Sequence, residues 1–160
     1  MVASQIPVNP EEQGAFQDPA VNTAVQGRTA LAIGHIELSA ETYQLVKDHK
    51  IKKGDVLTVA EVTGIFGAKQ TSSLFAHCNP NTLSDINMEF GLTDETHTVS
   101  VQAFIKTPNE VGVEMEALTA VSIACLAVFD MCKSVDPHIR IYDIQLVSKT
   151  GGQSGSYRSN

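Results

Sequence analysis

Three cysteines, no run of lysine or arginine, and no unbroken apolar stretch long enough to span a bilayer: each scarcity in these 160 residues removes a class of protein. Cys78, Cys125 and Cys132 are odd in number and lack metal-ligand spacing, and Cys125 and Cys132 fall about two helical turns apart, too far to bridge. The chain therefore reads as reduced and cytoplasmic. Eighteen acidic against 11 basic residues give a formal charge of -7, which argues against nucleic-acid or membrane-surface binding. An anionic ligand would need a local basic cluster. No charged start is followed by a long apolar block, so neither a signal peptide nor a membrane span is expected.

What is present suits one compact domain, since 42% apolar residues can bury a sizeable core. Residues 1–26, polar and rich in Pro, Asn and Gln, read as a flexible arm; 27–150 read as a single domain and 151–160 as a glycine-rich tail. "RTALAIGHIEL" alternates as a half-buried strand does. Ser39 can then cap a short helix running to about Lys50, and Asp55 a longer one from Val56 to Leu74, in which Gly64 and Gly67 hint at close packing. "LSDINMEFGL" and "HTVSVQAFIKT" form a hairpin around "DET". An apolar helix follows from Glu114 to Val135, with a stripe of Ala117, Ala120, Ala124 and Ala127, and it stops at Asp136-Pro137. "IRIYDIQLVSK" is the last strand. The order β-α-α-β-β-α-β predicts an α+β sandwich with helices on one face of an antiparallel sheet.

The helix beginning "GVEMEALTA" raises a question, because a segment built for burial starts with Glu114 and Glu116 and ends with Asp130 and Lys133. Glu116 and Asp130 share a helical face but lie roughly 21 Å apart at 1.5 Å per residue. One small substrate cannot touch both ends. Either the charges complement the helix dipole, with Asp130 and Lys133 a surface pair, or the two ends belong to separate sites or to one completed by another subunit.

"KGDVL", "GAKQTSSL", "GVEMEALTAVSIACLAVFDMCKSVD" and "SKTGGQSG" resemble, in order and spacing, the MoaC family, the cyclic pyranopterin monophosphate synthases of molybdenum-cofactor biosynthesis. The resemblance covers about Arg28 to Gly155. It implies a ferredoxin-like subunit in a hexamer, a trimer of dimers, with active sites at subunit interfaces. It implies rearrangement of 3′,8-cyclised dihydro-GTP to cyclic pyranopterin monophosphate with release of diphosphate. It also implies roles by position: Lys53, Lys133 and Asp130 catalytic, with Lys149 of the same polar set binding substrate; Arg28 the phosphate-binding arginine and Lys69 a second basic residue on the substrate; Cys78 and Asn79 in the family's "CHP" segment; Glu114, Met115 and Glu116 at the purine-derived end. These types suit the chemistry. A triphosphate needs several cations, and ring opening followed by pterin closure needs proton transfers, for which a lysine crowded by other cations can serve. Lys133 is the first choice and Lys53 the second. No redox cofactor is expected, and magnesium only in company with the triphosphate.

The family's "PLCHPL" is here "AHCNPN", so its histidine is Asn79, which can hydrogen-bond but cannot carry a proton near neutral pH. His77, two residues earlier, would share its face in an extended segment and so could stand in. At the N-terminus "FQDPA" keeps only Asp18 of a "MVDVS"-like stretch, and Gln153 replaces a lysine. A second reading follows from Asn79: a diverged member that binds a nucleotide, pterin or protein without turnover. A zinc site from His77, Cys78 and Cys132 lacks the required spacings.

Overall fold

The computed structural model describes residues 27–152 and 154–160; the N-terminal arm, Asp18 and Gln153 lie outside them. The elements are β1 (Arg28–Glu37), α1 (Ala40–Lys47), α2 (Val56–Leu74), β2 (Asp85–Thr93), β3 (Thr98–Thr107), α3 (Glu114–Cys132), β4 (Arg140–Thr150) and β5 (Tyr157–Arg158). The strands form one sheet in the order β2-β3-β1-β4-β5, antiparallel throughout. This is the expected α+β, ferredoxin-like arrangement. The glycine-rich tail adds β5, whose two residues pair with Ser148 and Lys149.

Alternation decides which sheet face is covered. Ala30, Ala32 and Ile36 of β1 and Val99, Val101, Ala103 and Ile105 of β3 are all buried and point to the helices. Small residues bring those helices close. All four alanines of the α3 stripe are buried, a Cβ on Gly34 of β1 would lie 2.7 Å from Val121 Cγ1, and a Cβ on Gly64 of α2 would come within 3.0 Å of the Ala120 carbonyl. α3 is the one helix among the described residues long and apolar enough to cross a membrane, but most of it is buried in this core.

The capped helix starts fall where expected, α2 ends at Leu74 as expected, and α1 and α3 end early. Ser39 Oγ accepts from the Thr42 amide and Asp55 Oδ1 from the Thr58 amide. α1 stops at Lys47 rather than about Lys50, because His49 takes a left-handed φ of 56° while its amide and that of Lys50 turn back to the Val46 and Leu45 carbonyls. α3 stops at Cys132 rather than Val135. The buried carboxylate of Asp136 accepts from the amides of Ser39 (2.7 Å) and His138 (3.0 Å), drawing the chain off the helix axis toward α1.

Candidate active site

α2 and α3 pack antiparallel, so the loop before α2 reaches the C-terminal end of α3. There Lys53 Nζ donates to the Asp130 carbonyl at 2.9 Å, and Lys133 Nζ lies 2.7 Å from Asp130 Oδ1. All three side chains are exposed. The hydrogen bond and charge of Lys133, with the charge of Lys53 behind them, hold the Asp130 carboxyl below its ordinary range. Two exposed ammonium groups thus meet at Asp130, Lys133 on its carboxylate and Lys53 on its carbonyl. Cys132 sits beside this cluster but is buried, and burial, with the Asp136 charge adding, pushes its thiol up to about 11. It stays protonated and inert.

The N-terminal end of α3 gathers a second set. Val113 gives the helix no side-chain cap, and Glu114 and Glu116 occupy the first turn, where the dipole favours negative charge. Lys149, paired with Ala30 across β4 and β1, sends Nζ to Glu114 Oε1 at 2.9 Å and to Ser154 Oγ at 2.7 Å. A side chain on Gly112 would meet the Glu114 carboxylate and require it to shift. Burial alone would lift Glu114, but the hydrogen bond and charge of Lys149 outweigh it and hold the carboxyl low. Glu116, only 7% exposed, is pushed the other way by burial and by the Glu114 charge. Two neighbouring carboxylates are thereby pushed in opposite directions, Glu114 down and Glu116 up.

Arg28 opens β1 at this end. Its Nη1 donates to the Gly27 carbonyl at 3.2 Å, its buried Nε has no protein partner, and its side chain lies against Gly151, where a Cβ would come within 2.8 Å of it. Gly151 and Gly152 both have positive φ, 72° and 91°, a turn open to glycine at little cost. Asn81 Oδ1 lies 3.0 Å from the hydroxyl of Thr107, the register partner of Arg28, so the segment bearing Cys78 and Asn79 belongs to this end too. Met115 and Asn79 are exposed.

The other positions divide. Lys69 is exposed on α2, and among the described residues it joins neither cluster by a hydrogen bond or ion pair. His77 sits in a turn closed by the Cys78 amide on the Phe75 carbonyl at 3.0 Å, so the extended geometry that would put it on the face of Asn79 is absent. Cys78 and Cys132 lie at opposite ends of α3, which parts the residues of a zinc site. Ser154, the second partner of Lys149, went unread in the sequence; the serine after "TGG" was the available signal.

The family model described as "MoaC family" matches residues 21–152. The chain belongs to the MoaC family. It is 45% identical over 148 residues to the cyclic pyranopterin monophosphate synthase of Salinibacter ruber, covering 92% of this chain and 87% of that protein. Proteins of the same name from Heliobacterium modesticaldum and Peptoclostridium acidaminophilum are 46% and 47% identical over 130 residues, 81% of this chain and 82% of each. The matched span includes Arg28, Lys53, Glu114, Asp130, Lys133 and Lys149 and stops short of Ser154.

Proposed function

We propose that this chain is a cyclic pyranopterin monophosphate synthase, rearranging 3′,8-cyclised dihydro-GTP to cyclic pyranopterin monophosphate with release of diphosphate in molybdenum-cofactor biosynthesis. The observation that carries the chemistry is the convergence of Lys53 and Lys133 on Asp130. An ammonium beside an ionised carboxylate can give a proton and take it back, and such positioned groups contribute about 10²–10⁴ in rate. Lys133 is assigned the main acid-base role and Lys53 the second. Arg28 and Lys149, with the glycine turn after β4, form the cationic frame for phosphate; Lys69 adds charge from α2. Glu114 and Glu116, with Met115 between them, receive the amide and amine edge of the base, and Cys78 and Asn79 border it. The net change is a rearrangement, so no redox cofactor is assigned, and magnesium enters with the triphosphate.

Because the ends of α3 are too far apart for one substrate, the working site joins one copy's Lys53–Asp130–Lys133 end to another copy's Arg28–Lys149 end. Val59, Val62 and Phe66 of α2 and Leu126 and Phe129 of α3 supply an exposed apolar surface for assembly, Phe66 being 62% exposed. A hexamer built as a trimer of dimers is the assembly this reading takes, in the cytoplasm, where the free cysteines stay reduced.

The test is turnover of freshly prepared cyclised dihydro-GTP, following both products, with Asn79→His alongside. The expected result is formation of both products by the natural sequence, at a rate within about tenfold of the variant, because an asparagine retains the positioning hydrogen bond and loses only the proton. Turnover by the variant alone would make the chain a binder. Turnover by neither would leave the family's fold without its reaction.

A further inference from the structure

His49 occupies the position after a helix where glycine is the least costly residue. The amides of His49 and Lys50 return to the carbonyls of Val46 (3.1 Å) and Leu45 (2.8 Å), the paired bonds of a Schellman ending, and His49 carries the left-handed φ of 56° that this ending requires. A side chain there is disfavoured unless it does something. Here the imidazole reaches across to α2: Nδ1 is 3.0 Å from Asp55 Oδ2, while Asp55 Oδ1 caps the helix through the Thr58 amide at 3.1 Å. One side chain thus ties the end of α1 to the start of α2.

The segment closed by that tie is "HKIKKGD", and Lys53 is in it. Ile51 is buried and anchors the middle, and the Gly54 amide turns back to the Ile51 carbonyl at 3.1 Å, with Gly54 at φ 123°. Lys53 is the third residue of that turn, and its side chain donates to the Asp130 carbonyl. Lys50 and Lys52 are exposed and, among the described residues, make no side-chain hydrogen bond or ion pair. The direction from which Lys53 reaches α3 is therefore set by three things: the buried Ile51, the Gly54 turn, and the His49–Asp55 contact across the mouth of the loop.

We propose that His49 is a positioning residue for the reaction, holding the loop mouth shut so that Lys53 stays directed at the last turn of α3. This rests on the acid-base role given to Lys53 above. Both partners of the contact are substantially exposed, so it adds little to global stability, and its effect is on where Lys53 points.

Two substitutions separate the donor from the backbone. Asparagine accepts a left-handed φ and carries Nδ2 as many bonds from Cα as the histidine Nδ1, whereas glycine accepts the φ most easily and has no donor. His49→Gly should lower kcat by about two- to fivefold with KM unmoved, and His49→Asn should keep nearly full kcat. In a Lys53→Ala background, His49→Gly should cost nothing more, because the path through which it acts is gone. Amide exchange at Gly54 should quicken in His49→Gly and not in His49→Asn. If the natural chain turns over but His49→Gly equals it, or His49→Asn falls as far, or the loss persists without Lys53, the inference on His49 fails alone. If the natural chain has no turnover, the proposed function fails first and takes this role with it.

Discussion

The two ends of α3 both gather lysines around carboxylates, yet they hold them differently. At the N-terminal end Lys149 is largely covered and has committed its ammonium to Glu114 and Ser154, and Glu116 beside them is buried. At the C-terminal end Asp130, Lys133 and Lys53 stand in solvent, and among the described residues Lys53 has only a carbonyl as hydrogen-bond partner. A largely covered cation held by two acceptors, the half-buried Glu114 and the exposed Ser154, is suited to holding phosphate, since its position does not wander. A group that must pass a proton has to leave its partner easily, and water makes that easy. On the proposed function, the contrast would separate a binding frame from a reactive pair, although both are written as lysine near acid.

The largest effect that would test this contrast is a split between kcat and KM. Lys133→Ala should lower kcat by about 10²–10⁴ with a small change in KM, while Lys149→Ala should raise KM more than it lowers kcat. Steady-state kinetics on the cyclised substrate reads both, and parallel losses in kcat at unchanged KM would erase the distinction. The next effect asks whether the ends work together across copies. Arg28→Ala and Lys133→Ala, each nearly inactive alone, should regain on the order of a quarter of the wild-type sites when co-expressed with different tags and purified as mixed assemblies. Mixed assemblies as inactive as their parents would mean that each site is built within one chain.

Much of the fold was legible because its signals are local. Ser39 and Asp55 mark helix starts by what a short oxygen side chain does to free amides, and the alternation of β1 and β3 marks a covered face. The end of α2 at Leu74 was legible, but those of α1 and α3 were not: α3 is ended by a contact at a distance, Asp136 on Ser39, 97 residues away, and α1 by a left-handed His49 that its sequence neighbourhood does not announce. The candidate site divides in the same way. Asp130 and Lys133, three residues apart, could be read as a pair from spacing alone, whereas Lys149 and Glu114, 35 residues apart, meet only because β4 runs beside β1 under the start of α3. The exchange of an extended segment for a turn at His77 belongs here too, because nothing in "AHCNPN" fixes where the turn closes.

The smallest effect, and the finest test of the binding end, lies in how Glu114 and Glu116 answer to pH. The folded state lowers the Glu114 carboxyl, through the Lys149 contacts that overcome its burial, so its contribution to stability is present above the unfolded carboxylate pKa and is lost as pH falls through the folded value. Glu116 has the opposite sign: burial and the Glu114 charge raise it, so its contribution is present at low pH and is lost as pH rises through the folded value. Glu114→Gln should therefore destabilise by about 1 kcal/mol at pH 7 and by less near pH 4. Glu116→Gln, which removes a buried charge and keeps the shape, should be neutral or stabilising at pH 7 and lose that advantage near pH 4. Thermal melts of both variants across this range read the difference as about 2–4 °C at pH 7. Two curves of the same slope would mean that the folded state does not split the pair, and the base edge of the substrate would then meet two equivalent carboxylates instead of one charged and one protonated more readily.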